Sequence, residues 1–182
     1  MQSTPSAGID KNTCSKDNIL ACKLTRNALW EGSVASELRR LIGERQAGWL
    51  YDGGMADQVI DVLNGPDPDP PVRFGDNLIR YSACRWHSCE EKGAVVLTTE
   101  GEIVSAGVIH FDVSRNYSND RMLTILTRNR NEHFQEVVDH LFAWYEKVTI
   151  DYNESMIKLY GRAKAWDDLR TIRDPEIIHF KP

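Results

Sequence analysis

Apolar and polar positions divide the chain into an early helical part, a central run of strands and a late helical part. Apolar residues recur at a helical period over residues 33–46 and again over about 55–63. The first run predicts an amphipathic helix, and the second predicts a shorter helix with a strand as the alternative. Ser33 can cap the first helix and Gly48 can end it. The apolar face of this helix is formed by Val34, Ala35, Leu38, Leu41 and Ile42.

The central part shows short β-rich runs separated by turn residues. These runs cover residues 72–74, 78–83, 93–99, 102–111 and 121–127. Turns that contain glycine, at residues 75–77 and 100–101, join neighbouring runs, so an antiparallel meander of about five strands is expected. Residues 65–71 hold four prolines. Because proline lacks a backbone donor, this segment is predicted to be a stiff connector outside any sheet interior.

The late part returns to a helical pattern. A long amphipathic helix is predicted over 131–148, with Asn131 as its cap, and the spacing of Met156, Tyr160 and Ala163 predicts another helix. The predicted fold class is therefore α+β, a central antiparallel sheet of about five strands covered by helices. Its expected parts are a flexible tail (1–13), an α+β domain (14–130) and a helical extension packed on that domain (131–182).

Composition limits the partners. The chain has 182 residues with a formal net charge of -5, which disfavours a nucleic-acid partner and allows a basic protein partner. No stretch approaches the roughly 18 consecutive apolar residues of a membrane span. A homodimer is compatible with the sequence.

The four cysteines form two local pairs, Cys14 with Cys22 and Cys84 with Cys89. Neither pair has the Cys-x-x-Cys spacing of most thiol oxidoreductases and zinc knuckles. Two local disulfides are the simplest interpretation, and they favour an oxidising compartment such as the periplasm. The first residues lack the apolar core of a signal peptide, so we expect that a signal has been removed.

Residues Ser82–Cys89 are expected to form a loop between two strands, closed by Cys84 and Cys89 and projecting from the sheet. Three interpretations compete for it: a structural staple, a metal or redox site, and a protruding binding loop. A zinc site can be drawn if Cys14 or Cys22 joins the loop's cysteines and His87, but the spacing matches no common structural zinc pattern.

Trp86 and His87 lie at the apex of this loop, where they are difficult to explain as core residues. Exposed Trp and Arg dominate binding hot spots, so Arg85, Trp86 and His87 favour the binding loop. The alternative is that Trp86 folds back on the sheet.

No catalytic motif stands out. The chain has no phosphate-binding glycine motif, no nucleophile elbow and no His-Glu-x-x-His helix, so neither an enzyme nor a bound cofactor or metal is expected. His133 and His140 lie seven residues apart and can share a helix face. Two surface histidines are the simpler interpretation.

These residues resemble the family of periplasmic inhibitors of vertebrate lysozyme. That family has a loop with the order Ser-Ala-Cys-Lys-Pro-His-Asp-Cys, and Ser82–Cys89 follows the same order. Gly48–Gly54 is similar to the family's Ala-Trp-Val-Met-Lys-Gly-Gly, and Gly75–Asp76 and Leu123–Thr124 match two shorter features. The resemblance covers about residues 30–128.

The resemblance implies an inhibitor whose disulfide-closed loop enters the cleft of a C-type lysozyme or related muramidase. His87 would lie between the two catalytic carboxylates of the target, the Cys84–Cys89 disulfide would brace the loop, and Arg85, Trp86 and Ser88 would assist. The target could be a host lysozyme, an endogenous lytic transglycosylase or a muramidase toxin. The alternative is an immunity protein that neutralises a peptidoglycan-degrading toxin, or a regulator of a lytic transglycosylase, acting through another surface.

The chain departs from the family pattern in three ways. Trp86 replaces proline, and Ser88 replaces an aspartate, which removes an acidic contact. The portion after residue 131 does not resemble the family. The pair Cys14 and Cys22 is additional. These departures affect the identity of the target more than the inhibitory mechanism.

Overall fold

A six-stranded sheet forms the centre of the computed structural model, which describes residues 33–65, 68–111, 120–128 and 132–180. Its strands are β3 (Pro68–Phe74), β4 (Leu78–Arg85), β5 (Ser88–Thr98), β6 (Ile103–Phe111), β7 (Arg121–Thr127) and β8 (Glu176–His179), in that spatial order, and two short strands, β1 (Gln46–Ala47) and β2 (Gly53–Gly54), pair separately. Neighbours from β3 to β7 are antiparallel, whereas β8 is parallel to β7. The predicted α+β class with a mostly antiparallel sheet is confirmed.

Helices cover both faces of the sheet. They are α1 (Ser33–Ile42), α2 (Met55–Leu63), α3 (Phe134–Tyr160) and the four-residue α4 (Arg162–Ala165), after which Trp166–Asp168 form a 3₁₀ turn. Alternate residues of one strand serve the two faces: Val95 and Leu97 pack with α1 and α2, while Ala94 and Val96 pack with α3. Because helices cover both faces, most positions of the inner strands β4 to β7 are buried.

The proline-rich segment is an edge strand, so its prediction as a connector is wrong from Pro68 onward. β3 pairs only with β4, and its register shifts between Asp69 and Val72, which places Pro70 and Pro71 in the irregular part. An edge strand and a bulge are the positions where a sheet tolerates the missing donors of proline. The rule that excludes proline from a sheet interior therefore holds here.

Gly43, and not Gly48, ends the first helix. The φ angle of Gly43 is 70°, and its N–H donates to the carbonyl of Arg39 at 2.9 Å. A glycine with positive φ just after the last helical residue is a common helix end. The helix therefore stops four residues earlier than predicted, and Gly48 lies in a loop.

The two late helices predicted from the sequence are largely one. α3 runs for 27 residues without a break, and the last of its buried residues is Thr149. The apolar stripe fades after this position while the helix itself continues to Tyr160. Met156 and Tyr160 therefore belong to the same helix as Phe134, and the prediction of a separate helix for them is wrong.

The C-terminal portion also contributes a strand. β8 pairs with β7 in the register Thr124↔Glu176 to Thr127↔His179. The N–H of Phe180 then donates to the carbonyl of Thr127 at 2.7 Å, and Phe180 is buried in the core cluster that also contains residues of α1 and α2. Residues after 131 thus extend the central sheet as well as covering it.

Candidate functional site

Strand pairing in the β4–β5 hairpin continues closer to the tip than the sequence predicted. Arg85 pairs directly with Ser88, so only Trp86 and His87 form the turn. Cys84 and Arg85 belong to β4, and Ser88 and Cys89 belong to β5. The expected eight-residue loop is therefore mostly strand, and backbone pairing holds the two turn residues at the tip.

Both residues of the tip face solvent. The Trp86 side chain is 53% exposed, so it does not fold back on the sheet, and His87 is also exposed. The two ring centroids lie 5.9 Å apart. His87 has a φ angle of 61°, the one positive value at a non-glycine position in the described residues. Such a conformation costs about 1 kcal/mol or more and is concentrated at functional sites.

A disulfide between Cys84 and Cys89 closes the hairpin below the tip, with Cα atoms 4.6 Å apart. This confirms one predicted disulfide and means that neither sulfur is a thiolate ligand or a free thiol. The other predicted pair, Cys14 and Cys22, lies outside the described residues. In the part of the chain that the structure describes, no group of His, Cys, Asp or Glu is arranged to hold a metal ion.

A β-bulge follows the disulfide. The pair Cys84↔Lys92 is succeeded directly by Arg85↔Ser88, so Cys89 and the two glutamates after it have no residue opposite them on β4. Glu91 turns its carboxylate towards Arg85, whose Nη1 donates to it at 2.9 Å. The Glu91 side chain is only 4% exposed, so this ion pair forms part of the structure beneath the tip.

The other glutamate of the bulge, Glu90, is bound by two arginines from distant elements. Nη2 of Arg170 lies 2.9 Å from Glu90 Oε2 in an ion pair, and Nη2 of Arg121 donates to the same oxygen. The guanidinium of Arg121 lies over the ring of Phe111, and that of Arg170 lies over Tyr152. Burial, followed by the charge of Arg170, lowers the pKa of Arg121 to about 10. Glu90 therefore connects the base of the hairpin to β7 and to the segment after α4.

A second loop, residues 48–52, lies beside the hairpin and is held by Gln58 of α2. This glutamine is fully buried. Its Oε1 accepts the N–H of Leu50 at 2.9 Å, and its Nε2 donates to the carbonyls of Ala47 at 2.7 Å and Gly53 at 3.0 Å. Because β1 and β2 also close the ends of the loop, its shape is fixed at both ends and in the middle.

An open groove separates this loop from the hairpin. Residues 48–52 form one wall, and Arg85, Ser88, Glu91 and Phe111 form the other. Trp49 is buried, with its ring 5.4 Å from that of His110, whereas Tyr51 is 40% exposed. The guanidinium of Arg85 lies 6.0 Å from the centroid of the Tyr51 ring.

Two of the other histidines, His110 and His140, pack against neighbouring side chains inside the fold. His110 is buried, with Nε2 2.9 Å from Oγ1 of Thr124. His140 is half-buried, and its ring stacks on that of Phe74 at a centroid distance of 3.6 Å. Burial, followed by the charge of Arg80, lowers the pKa of His140 to about 4. The prediction of a simple surface histidine is therefore wrong for His140.

The structure brings together the six predicted loop residues, Cys84 to Cys89, in one hairpin. Sequence reasoning missed Glu90 and Glu91 as anchors of that hairpin and Gln58 as the support of the neighbouring loop. The adjacent glutamates directly after Cys89 were the available signal for the first. Gln58 gave none, because a polar residue in an amphipathic helix is ordinarily expected on the solvent side.

Comparisons with protein-family models, with curated proteins and with solved structures found no match to this chain. None of the helices in the described ranges combines the length and apolarity that crossing a membrane requires.

Proposed function

We propose that this protein inhibits a C-type lysozyme or a related muramidase by inserting the tip of the β4–β5 hairpin into the enzyme's cleft. The observation that carries the proposal is the exposed pair Trp86 and His87, held at the end of a hairpin that a disulfide closes. A narrow protrusion of this kind is the shape that a substrate cleft accepts. The resemblance of Ser82–Cys89 to the lysozyme-inhibitor loop is a further support.

The chemistry of the tip suits such a cleft. A lysozyme-like glycosidase uses one carboxylic acid with a raised pKa and one ionised carboxylate. The imidazole of His87 can accept a hydrogen bond from the acid and donate one to the carboxylate. Trp86 and Arg85 are residue types that contribute strongly at interfaces, and Ser88 supplies a neutral hydroxyl beside them.

Preorganisation supports the same mechanism. The disulfide, the Arg85–Glu91 ion pair and the contacts of Glu90 with two arginines restrain the hairpin before any partner binds. Ordering a flexible loop on binding costs about 0.5–1.5 kcal/mol for each immobilised side chain. A braced tip avoids much of this cost.

The charge of the chain favours rapid association. Its formal net charge of -5 complements a basic lysozyme, and such complementarity acts mostly on the association rate. A disulfide-closed inhibitor of a cell-wall enzyme would act in an oxidising compartment, so we place it in the periplasm.

Lysis of cell-wall suspensions tests the proposal. The wild type is mixed with a C-type lysozyme, a lytic transglycosylase or a muramidase toxin, and the loss of turbidity is followed. His87→Ala should weaken inhibition of the target about 30-fold, whereas His179→Ala, which removes an exposed histidine on β8, should leave it intact. Absence of inhibition of every enzyme would refute the proposal.

A second candidate function is an immunity protein that binds its toxin through the C-terminal helices. It is favoured by the exposed apolar side chains of Ile150, Leu159 and Trp166, which lie after the last buried residue of α3. Leu159→Lys with Trp166→Lys should then abolish protection of cells that produce a muramidase toxin, while His87→Ala should not. The opposite result would exclude this candidate.

A further inference from the structure

The loop at residues 48–52 is more elaborate than a connection between α1 and α2 requires. Helix–helix connections in compact domains are usually about 2–8 residues long, whereas residues 43–54 separate these two helices. The side-chain amide of Gln58 forms hydrogen bonds with three backbone groups of this segment. Because these hydrogen bonds hold the backbone at both ends and in the middle, residues 48–52 form a rigid loop. We call this loop the platform.

The platform presents one aromatic ring and one carboxylate to solvent. Tyr51 and Asp52 are exposed at its end. The pKa of Tyr51 is raised, first by burial and then by the charges of Asp61 and Asp57 on α2. Both aspartates are exposed. Asp57 pairs with Nε of Arg39 at 3.0 Å, so the acidic charge that this surface offers a partner comes mainly from Asp52 and Asp61.

The facing wall of the groove belongs to the hairpin of the proposed inhibitory tip. Arg85 extends from the strand that leads into Trp86, and its guanidinium reaches towards Tyr51 while donating to Glu91. A partner protein that binds the tip from this side therefore also contacts the platform. The groove offers it the Tyr51 ring and the carboxylate of Asp52.

We propose that residues 48–52 are a second contact element of the same interface, and that the groove receives a lysine or arginine from the rim of the muramidase cleft. This inference rests on the proposed function, because it takes its partner from it. The cation would lie against the Tyr51 ring, as cations do on aromatic faces, and would pair with Asp52. The net charge of -5 of the whole chain favours a basic partner surface.

Binding to a basic C-type lysozyme, measured by surface plasmon resonance, tests the inference. The variants are Tyr51→Ala and Asp52→Asn. Ile177→Ala is the control for loss of a similarly exposed apolar side chain, and Asp76→Asn is the control for the same change of charge. Ile177 lies on β8, and Asp76 lies in the turn at the opposite end of β4 from the tip.

Tyr51→Ala should weaken binding about tenfold, since the contact is partly desolvated. Asp52→Asn should lower the association rate about threefold at 0.05 M salt, and this difference should shrink at about 0.3 M as the charges are screened. Both controls should stay within about twofold of the wild type, the range expected at sites outside an interface.

The two proposals fail in different ways. A wild type that binds the lysozyme, with both loop variants within twofold of it, would overturn the second contact element and leave the inhibitory tip in place. A wild type that neither binds nor inhibits this lysozyme or the other muramidases would overturn both.

Discussion

Nη1 of Arg85 lies 2.9 Å from Oε2 of Glu91, and this ion pair joins the strand that enters the tip to the strand that leaves it. The Glu91 carboxylate is almost completely removed from solvent, whereas Arg85 keeps partial exposure. A buried carboxylate needs such a partner, because isolating it costs several kcal/mol. The pair therefore makes Arg85 a support of the hairpin as well as a candidate contact residue.

Arg85→Ala should lower the free energy of unfolding by about 2 kcal/mol, because it leaves the Glu91 carboxylate without this partner. Urea denaturation measures the change as a lower midpoint. Arg85→Ala combined with Glu91→Gln should recover part of the loss, because the second change removes the buried charge. An unchanged midpoint for Arg85→Ala would show that the pair does not stabilise the hairpin.

Replacing Cys84 and Cys89 by serine should lower the free energy of unfolding by about 2 kcal/mol, the chain-entropy value for a loop this short. It should also weaken inhibition, because the tip must then be ordered on binding. Urea denaturation and the lysis assay measure the two effects. Equal stability and equal inhibition in the variant and the wild type would contradict the role of the disulfide as a brace.

Gln58→Met should destabilise the protein by about 3 kcal/mol, since it removes the hydrogen bonds of three backbone groups and keeps a similar side-chain volume. Hydrogen exchange at the amide of Leu50 should become faster, which reports on the 48–52 loop directly. Gln135→Met, on the exposed face of α3, is the matched control. Unchanged exchange at Leu50 would show that Gln58 does not hold this loop.

The stability of the protein should depend on the protonation of His140. Its folded pKa is lowered to about 4, whereas an unfolded histidine titrates near about 6.5. Between these values the unfolded chain binds the extra proton, so stability is fully present above about pH 6.5 and is lost as the pH falls towards about 4.

Lowering the pH from 7 to 5 should reduce the free energy of unfolding by about 1 kcal/mol through His140, after allowance for solvent screening. His140→Gln should reduce the pH dependence measured by urea denaturation, and His179→Gln, an exposed control, should not. Identical pH profiles for His140→Gln and the wild type would contradict the lowered pKa.

Local patterns were enough to predict much of the fold. The helix at residues 55–63 agrees with α2, and the predicted turns contain Gly75 and Gly101, which have positive φ angles. The β8 strand could not be predicted in this way. It has four residues, mostly exposed, and is defined by its pairing with β7 and by the burial of Phe180. Such pairing depends on contacts between residues far apart in the chain.

In the candidate site too, local features could be predicted from the sequence, whereas contacts between distant residues could not. The exposure of Trp86 and the position of His87 at the apex follow from two cysteines that enclose a short turn between strands. The anchoring of Glu90 does not follow from the sequence, because Arg121 and Arg170 reach it from distant parts of the chain. The second loop also escaped prediction, because its support comes from the buried face of α2.

The most direct measurement is the comparison of stability and inhibition in His87→Gly. Glycine suits the φ angle of 61° at this position, but it also increases the entropy of the unfolded chain, so the free energy of unfolding should stay within about 1 kcal/mol of the wild type. His87→Asn, which tolerates the same backbone conformation, is the matched control for a polar side chain without an imidazole. Both variants should inhibit the muramidase about 30-fold less well than the wild type while remaining folded. Inhibition by folded His87→Gly at the wild-type level would contradict the claim that the imidazole at the tip blocks the enzyme.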